Sequence, residues 1–143
     1  MPLVTRNHPK LTAEGARAVL SAAQRRADEI RCPMNIAIVD DGAHLLLFER
    51  MDGAKPSSIA IALVKAQAAA MRRSPTGPPQ GQQINVPLAL GLAIAGPSEQ
   101  TPIRGGVPLV VDGQVVGAIG VSAGSEEQDL DVAQAGAAAL ENA

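Results

Sequence analysis

The residues best suited to chemistry gather around one short run. Arg104, Gly105 and Gly106 stand in a row, and a helix start follows at Ser125–Glu126. The N–H groups of a glycine pair and of a helix N-terminus are natural anion binders. Arg50, Lys65, Arg72, Arg73 and Arg104 could bring positive charge to the same rim. This pattern predicts a pocket for a small anionic ligand near the Gly105–Gly106 loop. A side chain at Gly106 should then damage ligand binding more than stability.

Other chemistries fit poorly. With 2 histidines and 1 cysteine, no zinc-type spacing exists, and no metal site is expected. The run GAIGVSAGS is neither a dinucleotide fingerprint nor a P-loop, because the glycine spacing fails and no Lys follows. No nucleophile elbow is present. Cys32 reads as a small, inert side chain. The net charge of −2 comes without a basic block, and Phe48 is the single aromatic residue, so no nucleic-acid partner is expected. No run approaches the ~18 apolar residues of a membrane span. The N-terminus MPLVTRNHPK has no apolar core of a signal peptide. The expected setting is cytoplasmic, without a membrane partner.

The elements that would position these residues follow from periodicity. The 143 residues suggest one domain: an N-terminal arm over 1–10 and the domain proper over 11–143. Its core is built of Ala, Leu, Val and Ile. Thr12 caps a helix reaching about Arg31. Two strands, Asn35–Asp40 and Ala43–Met51, flank an Asp41-Gly42 turn. Strict alternation puts His44, Leu46, Phe48 and Arg50 on one face. A second helix spans Pro56–Met71, with Ile59, Leu63, Ala66 and Ala70 as its stripe. Its other alanines offer a subunit contact. A loop runs over Arg72–Pro87, then a short helix and a strand over Leu88–Ala95, then a loop over Gly96–Thr101. Asp112-Gly113 turns a late hairpin. Ser125 and Gln128 fit a capping box for a last helix ending near Leu140. Hairpins at both ends argue for an α/β chain of the α+β type, an antiparallel sheet of about five strands flanked by helices.

Three stretches, in order, also carry a resemblance: NIAIVDDGAHLLLFERMDGA, SIAIALVKAQAAA and GGVPLVVDGQVVGAIGVSAGSEEQD. They resemble the signatures of the GlcG/HbpS family of haem-binding or haem-degrading domains, also found as the C-terminal domain of PduO. The resemblance extends roughly from Leu11 to Leu140. It implies a profilin-like fold and assembly into a homo-oligomer. The family's recurring positions fall on Arg50, Asp52, Gly53, Lys65, Thr76, Gly105, Gly106 and Asp129. Haem is the implied cofactor, and Lys65 and Thr76 match a lysine and a threonine tied to haem binding in relatives. Iron also wants an axial ligand. His44 is the candidate, since its expected face offers Leu46, Phe48 and Arg50. The alternative is a catabolic enzyme acting on a small organic acid or semialdehyde. Arg50 or Arg104 would then bind a carboxylate and the Gly105–Gly106 amides an oxyanion. Glu49, Asp52 or Asp129 would serve as general base.

Overall fold

The computed structural model describes residues 1–79, 81–96 and 99–143. Gln80, Pro97 and Ser98, in the two stretches expected to be loops, lie outside the described residues. Helix α1 (Ala13–Glu29) starts where the Thr12 side chain accepts the Gly15 N–H, and it buries Ala16, Val19, Ala23 and Ala27. Strands β1 (Asn35–Asp40) and β2 (Leu45–Arg50) form the first hairpin. A 3-10 turn (Pro56–Ser58) leads into α2 (Ile59–Arg72). Helix α3 (Val86–Ala95) precedes the second hairpin, β3 (Gly106–Val111) and β4 (Gln114–Ser122), and α4 (Glu126–Ala138) follows.

Among the described residues the sheet has 4 strands in the order β2-β1-β4-β3, every neighbour antiparallel. The α+β class stands, with one strand fewer than expected. Residues 88–95, read as a short helix and a strand, belong wholly to α3. Asn85 caps that helix by accepting the Leu88 N–H, and Pro87 sits in its first turn, where a missing N–H costs nothing. These start signals outweigh the strand-like alternation of VPLALGLAIA.

Two apolar layers hold the sheet. Ile36, Ile38, Ile119 and Val121 face α1 and α4, where Val19, Ala23, Val132 and Ala133 meet them. Ala37, Val39 and Ala118 face α2, which presents Ala62, Ala66, Ala69 and Ala70. The expected stripe of α2 therefore shifts. Ile59 is exposed, and of the alanines expected to make a subunit contact Ala62, Ala68 and Ala69 are buried inside the subunit, while Ala60 is exposed. The reason lies across the interface. A Cβ on Gly120 would strike the backbone of Ala62 and Ala66, so helix and strand meet almost backbone to backbone.

The two Asp-Gly pairs behave differently. Asp112 and Gly113 both adopt positive φ (51° and 74°), as a type I′ turn requires. At the first hairpin Asp40 takes over: its Oδ1 accepts the N–H groups of Gly42 and His44, both at 2.9 Å. Ala43 carries the positive φ there, at 68°. The pairing then slips, with Ile38 opposite Leu47 but Val39 opposite Leu45. Leu46 is the extra residue of a β-bulge, so the alternation breaks. His44 consequently does not share a face with Phe48 and Arg50.

The arm over residues 1–10 has no helix or strand, yet its end is tied down. Lys10 Nζ and His8 Nε2 reach Asp41 Oδ2 at 2.8 and 3.3 Å. The Lys10 hydrogen bond holds the Asp41 carboxyl below its ordinary pKa.

The capping box is complete: Ser125 Oγ accepts the Gln128 N–H at 3.2 Å, and Gln128 Oε1 accepts the Ser125 N–H at 2.9 Å. Ser125→Ala should cost about 1 kcal/mol in urea unfolding. A loss below a few tenths would mean that α4 is held by its packing alone.

Candidate functional site

Gly105 and Gly106 lie where β3 enters the sheet, and their neighbours explain both glycines. Lys65, from the middle of α2, runs past Gly105 through the protein interior. Its Nζ donates to the Val121 carbonyl at 2.8 Å and to Asp129 Oδ2 at 2.9 Å. Both side chains of this ion pair are buried, at 1% and 4% exposure. The other Asp129 oxygen accepts the Gly124 N–H at 3.0 Å. A Cβ on Gly105 would stand 2.9 Å from Lys65 Nζ and 2.6 Å from the Val121 oxygen. Gly105 also has φ +123°, a conformation that side chains resist. One on Gly106 would strike the Lys65 carbonyl and come within 2.7 Å of Thr76 Cγ2. Burial pushes the Asp129 carboxyl above its ordinary pKa, while Lys65 pulls the other way.

Thr76 completes this knot. Its hydroxyl donates to the Ile103 carbonyl at 2.7 Å and accepts the Gly106 N–H at 2.9 Å. The Thr76 N–H in turn bonds the Gly106 carbonyl at 3.0 Å. The Gly106 amide is thus engaged inside the chain, and so are Lys65, Thr76 and Asp129. These residues fasten α2 and the following loop to β3, β4 and α4. The expectation that a Gly106 side chain would damage function more than stability is overturned by this packing.

Arg104 is also engaged. Its Nε donates to the Pro78 carbonyl at 3.0 Å, and Nη2 to those of Pro79 and Gln82 at 3.1 and 2.7 Å. Nη1 pairs with Glu126 at 2.8 Å. This planar fork suits a set of fixed carbonyls. It ties the loop after Thr76 to the start of α4. Beside the clamp opens an apolar cleft of about 350 Å³, walled by Pro78, Ile84, Leu88 and Leu92, with Arg72 at its rim.

A second, more polar cleft of about 370 Å³ lies at the far edge of the sheet. It gathers Glu49, Arg50 and Asp52 with Gln24, Arg31 and Cys32. Burial raises the Cys32 thiol above its ordinary pKa, which disfavours a reactive thiolate. Arg50 and Gly106 belong to opposite edge strands, three strand spacings or roughly 14 Å apart. The single rim expected from the sequence is therefore two sites. His44 lines neither cleft, and its side chain is 83% exposed beside Asp40.

The family model described as "Haem degrading protein HbpS-like" matches residues 11–138. The chain belongs to the HbpS-like family. Protein GlcG of Escherichia coli K12 is 39% identical over 112 residues, covering 78% of this chain and 81% of GlcG. The crystal structure of Klebsiella pneumoniae protein ORFY superposes with a TM-score of 0.83 at 29% identity, over 100% of this chain and 99% of that one. The PduOC:heme complex superposes with a TM-score of 0.78 at 28% identity, over 93% and 96% of the two chains.

In this HbpS-like chain, the sequence reading missed the apolar cleft. Its walls come from a loop rich in Pro and Gln and from a helix taken partly for a strand. A signal was present: from Ser74 to Ser98 no residue carries a charge.

Lys65→Met keeps the aliphatic bulk and removes the charge. Asp129 then keeps the burial that raises its pKa and loses the Lys65 contact that opposes it. A carboxyl with a folded pKa above its unfolded value favours folding at low pH and opposes it as pH rises through the raised value. The variant should lose about 3–5 kcal/mol near neutral pH, and less in acid. Urea unfolding at two pH values measures this; a loss independent of pH would contradict the pairing. Gly106→Val should fail to fold, or unfold at least about 3 kcal/mol more easily.

Proposed function

We propose that this protein binds haem, or another flat anionic ligand of that class, in the apolar cleft between the loop after Thr76 and α3. The observation that carries this is the cleft itself: apolar walls of Ile84, Leu88 and Leu92 with the Arg72 cation at the rim. Such walls suit a porphyrin face, and a guanidinium suits a propionate. The cleft adjoins Arg104, which precedes the Gly105–Gly106 pair. The haem in the PduOC complex and the description of the family favour the same ligand.

The lining does not fit the iron. Among the described residues that wall the cleft there is no His, Met, Cys or Tyr. Binding here rests on the ring and its carboxylates, so iron-free protoporphyrin should bind about as well as hemin. Arg72→Ala should weaken both by roughly tenfold. His44→Ala should change neither the affinity nor the Soret band. Absorbance titrations with the two porphyrins test all of this. Hemin binding that needs iron, or that His44→Ala abolishes, would move the ligand out of this cleft.

A second reading has its own observation. Glu49, Arg50 and Asp52 converge in the polar cleft beside α1. There Arg50 would hold the carboxylate of a small organic acid, and Glu49 or Asp52 would act as general base. Asp129 is not offered for that role, being buried against Lys65. A panel of two- to four-carbon acids and aldehydes, turned over by the wild type and not by Arg50→Ala, would favour this reading.

We further read the protein as a homo-oligomer. A cytoplasmic setting is supported by its single half-buried cysteine, which needs no oxidising compartment.

A further inference from the structure

The polar cleft at the far edge of the sheet gathers five charged side chains and pairs none of them. Asp28 and Arg31 come from the end of α1, and Glu49, Arg50 and Asp52 from the end of β2 and the turn after it. Among the described residues, none of the five forms an ion pair. Glu49 alone has a side-chain hydrogen bond, from Gln24 at 3.4 Å. Arg26 of the same helix, by contrast, pairs with both Glu29 and Asp131. The backbone holds the cleft charges apart. The Cys32 N–H bonds the Ala27 carbonyl at 3.0 Å and the Arg31 N–H that of Asp28 at 3.1 Å, so α1 stops abruptly. Arg31 takes φ 55°, a left-handed conformation that helix ends commonly give to glycine. On the other wall, the Met51 N–H bonds the Met34 carbonyl and the Ala54 N–H the Met51 carbonyl, both at 3.0 Å. Both signs of charge are thus fixed around an open space of about 370 Å³.

We propose that this cleft binds the head group of a free α-amino acid, with its carboxylate at Arg31 and Arg50 and its ammonium among Asp28, Glu49 and Asp52. The inference rests on the second reading above, in which Arg50 holds a carboxylate, and narrows that acid to one that also carries an ammonium. Three observations favour this ligand. A plain organic acid would leave three carboxylates unanswered, and a plain amine would leave two guanidinium groups; a zwitterion meets both with charge-assisted hydrogen bonds. Each wall carries both signs within a few residues, Asp28 with Arg31 and Glu49 with Arg50 and Asp52. The matching ligand therefore has its two charges close together, as an α-amino acid does. Lastly, Asp28 stands in the last turn of α1, where the helix dipole disfavours a carboxylate. Glu29 beside it is answered by Arg26, and Asp28 is not. An ammonium there would satisfy the carboxylate and the helix end together. The space also falls within the size range of small-molecule sites.

The test is the binding of L-alanine to the full chain, followed by amide NMR shifts at millimolar ligand. Two companions each lack one charge: propanoate has no ammonium, and ethylamine has no carboxylate. L-alanine should bind at least about tenfold more tightly than either, with its shifts gathered at the end of α1 and the turn after β2. Arg50→Gln and Asp52→Asn should each weaken L-alanine by about tenfold. Arg17→Ala, elsewhere on α1 and outside the cleft, should change nothing. All three positions are exposed, and circular dichroism checks that each variant keeps the fold. Propanoate that binds as tightly as L-alanine and needs Arg50 would keep the organic-acid reading and overturn the ammonium site. Ethylamine binding as tightly as L-alanine would overturn the carboxylate site, and the proposal with it. So would an equal loss on Arg17→Ala, which would mark the effect as one of overall charge. No binding of L-alanine overturns the proposal alone if propanoate still binds through Arg50, and the second reading as well if propanoate does not bind.

Discussion

Helix α2 lies against the sheet with almost no side chains between them. Ala62, Ala66, Ala69 and Ala70 meet Ala37, Val39 and Ala118, and Gly106 and Gly120 let the backbones touch. Contacts this short leave nothing to yield, so each added methyl group would displace a backbone. The Lys65–Asp129 pair then crosses the end of the sheet and joins α2 on one face to α4 on the other. A buried pair of this kind contributes little net stability, yet losing one partner strands a charge in the interior. It specifies where α2 must sit.

That seat explains where ligands can and cannot go. The interior on the α2 side is filled by backbone and methyl groups. The glycine pair, which as a bare sequence suggests an anion cradle, is used to admit Lys65 and Thr76. Room for a ligand exists at the periphery instead. One cleft is built by the loop after Thr76 and by α3, and the other by α1 and the end of β2. The knot around Gly106 still matters for the first cleft, because Thr76 and Arg104 anchor the loop that forms its wall.

The cations divide in the same way. Lys65 and Arg104 are spent on carbonyls and carboxylates of the protein itself. Arg72 and Arg50 sit on the lining of the two clefts. Residue type alone could not separate these groups. A lysine in an alanine-rich helix reads the same whether it faces water or a buried aspartate.

Local chemistry was legible in the chain. Thr12 and Ser125 mark helix starts because their side chains satisfy amides a turn away, and Asp112-Gly113 marks a hairpin because both residues tolerate positive φ. The GlcG/HbpS resemblance and the α+β class followed from such short-range patterns. Tertiary contacts decided the rest. The bulge at Leu46 turned His44 away from Phe48, since pairing with β1 set the register and not the alternation of β2. The buried face of α2 was chosen by glycines far away in sequence, at positions 106 and 120, and Lys65 went inside because Asp129 was there to meet it. Capping and turn formation depend on groups within a few residues, whereas burial and register depend on which surfaces the fold brings together.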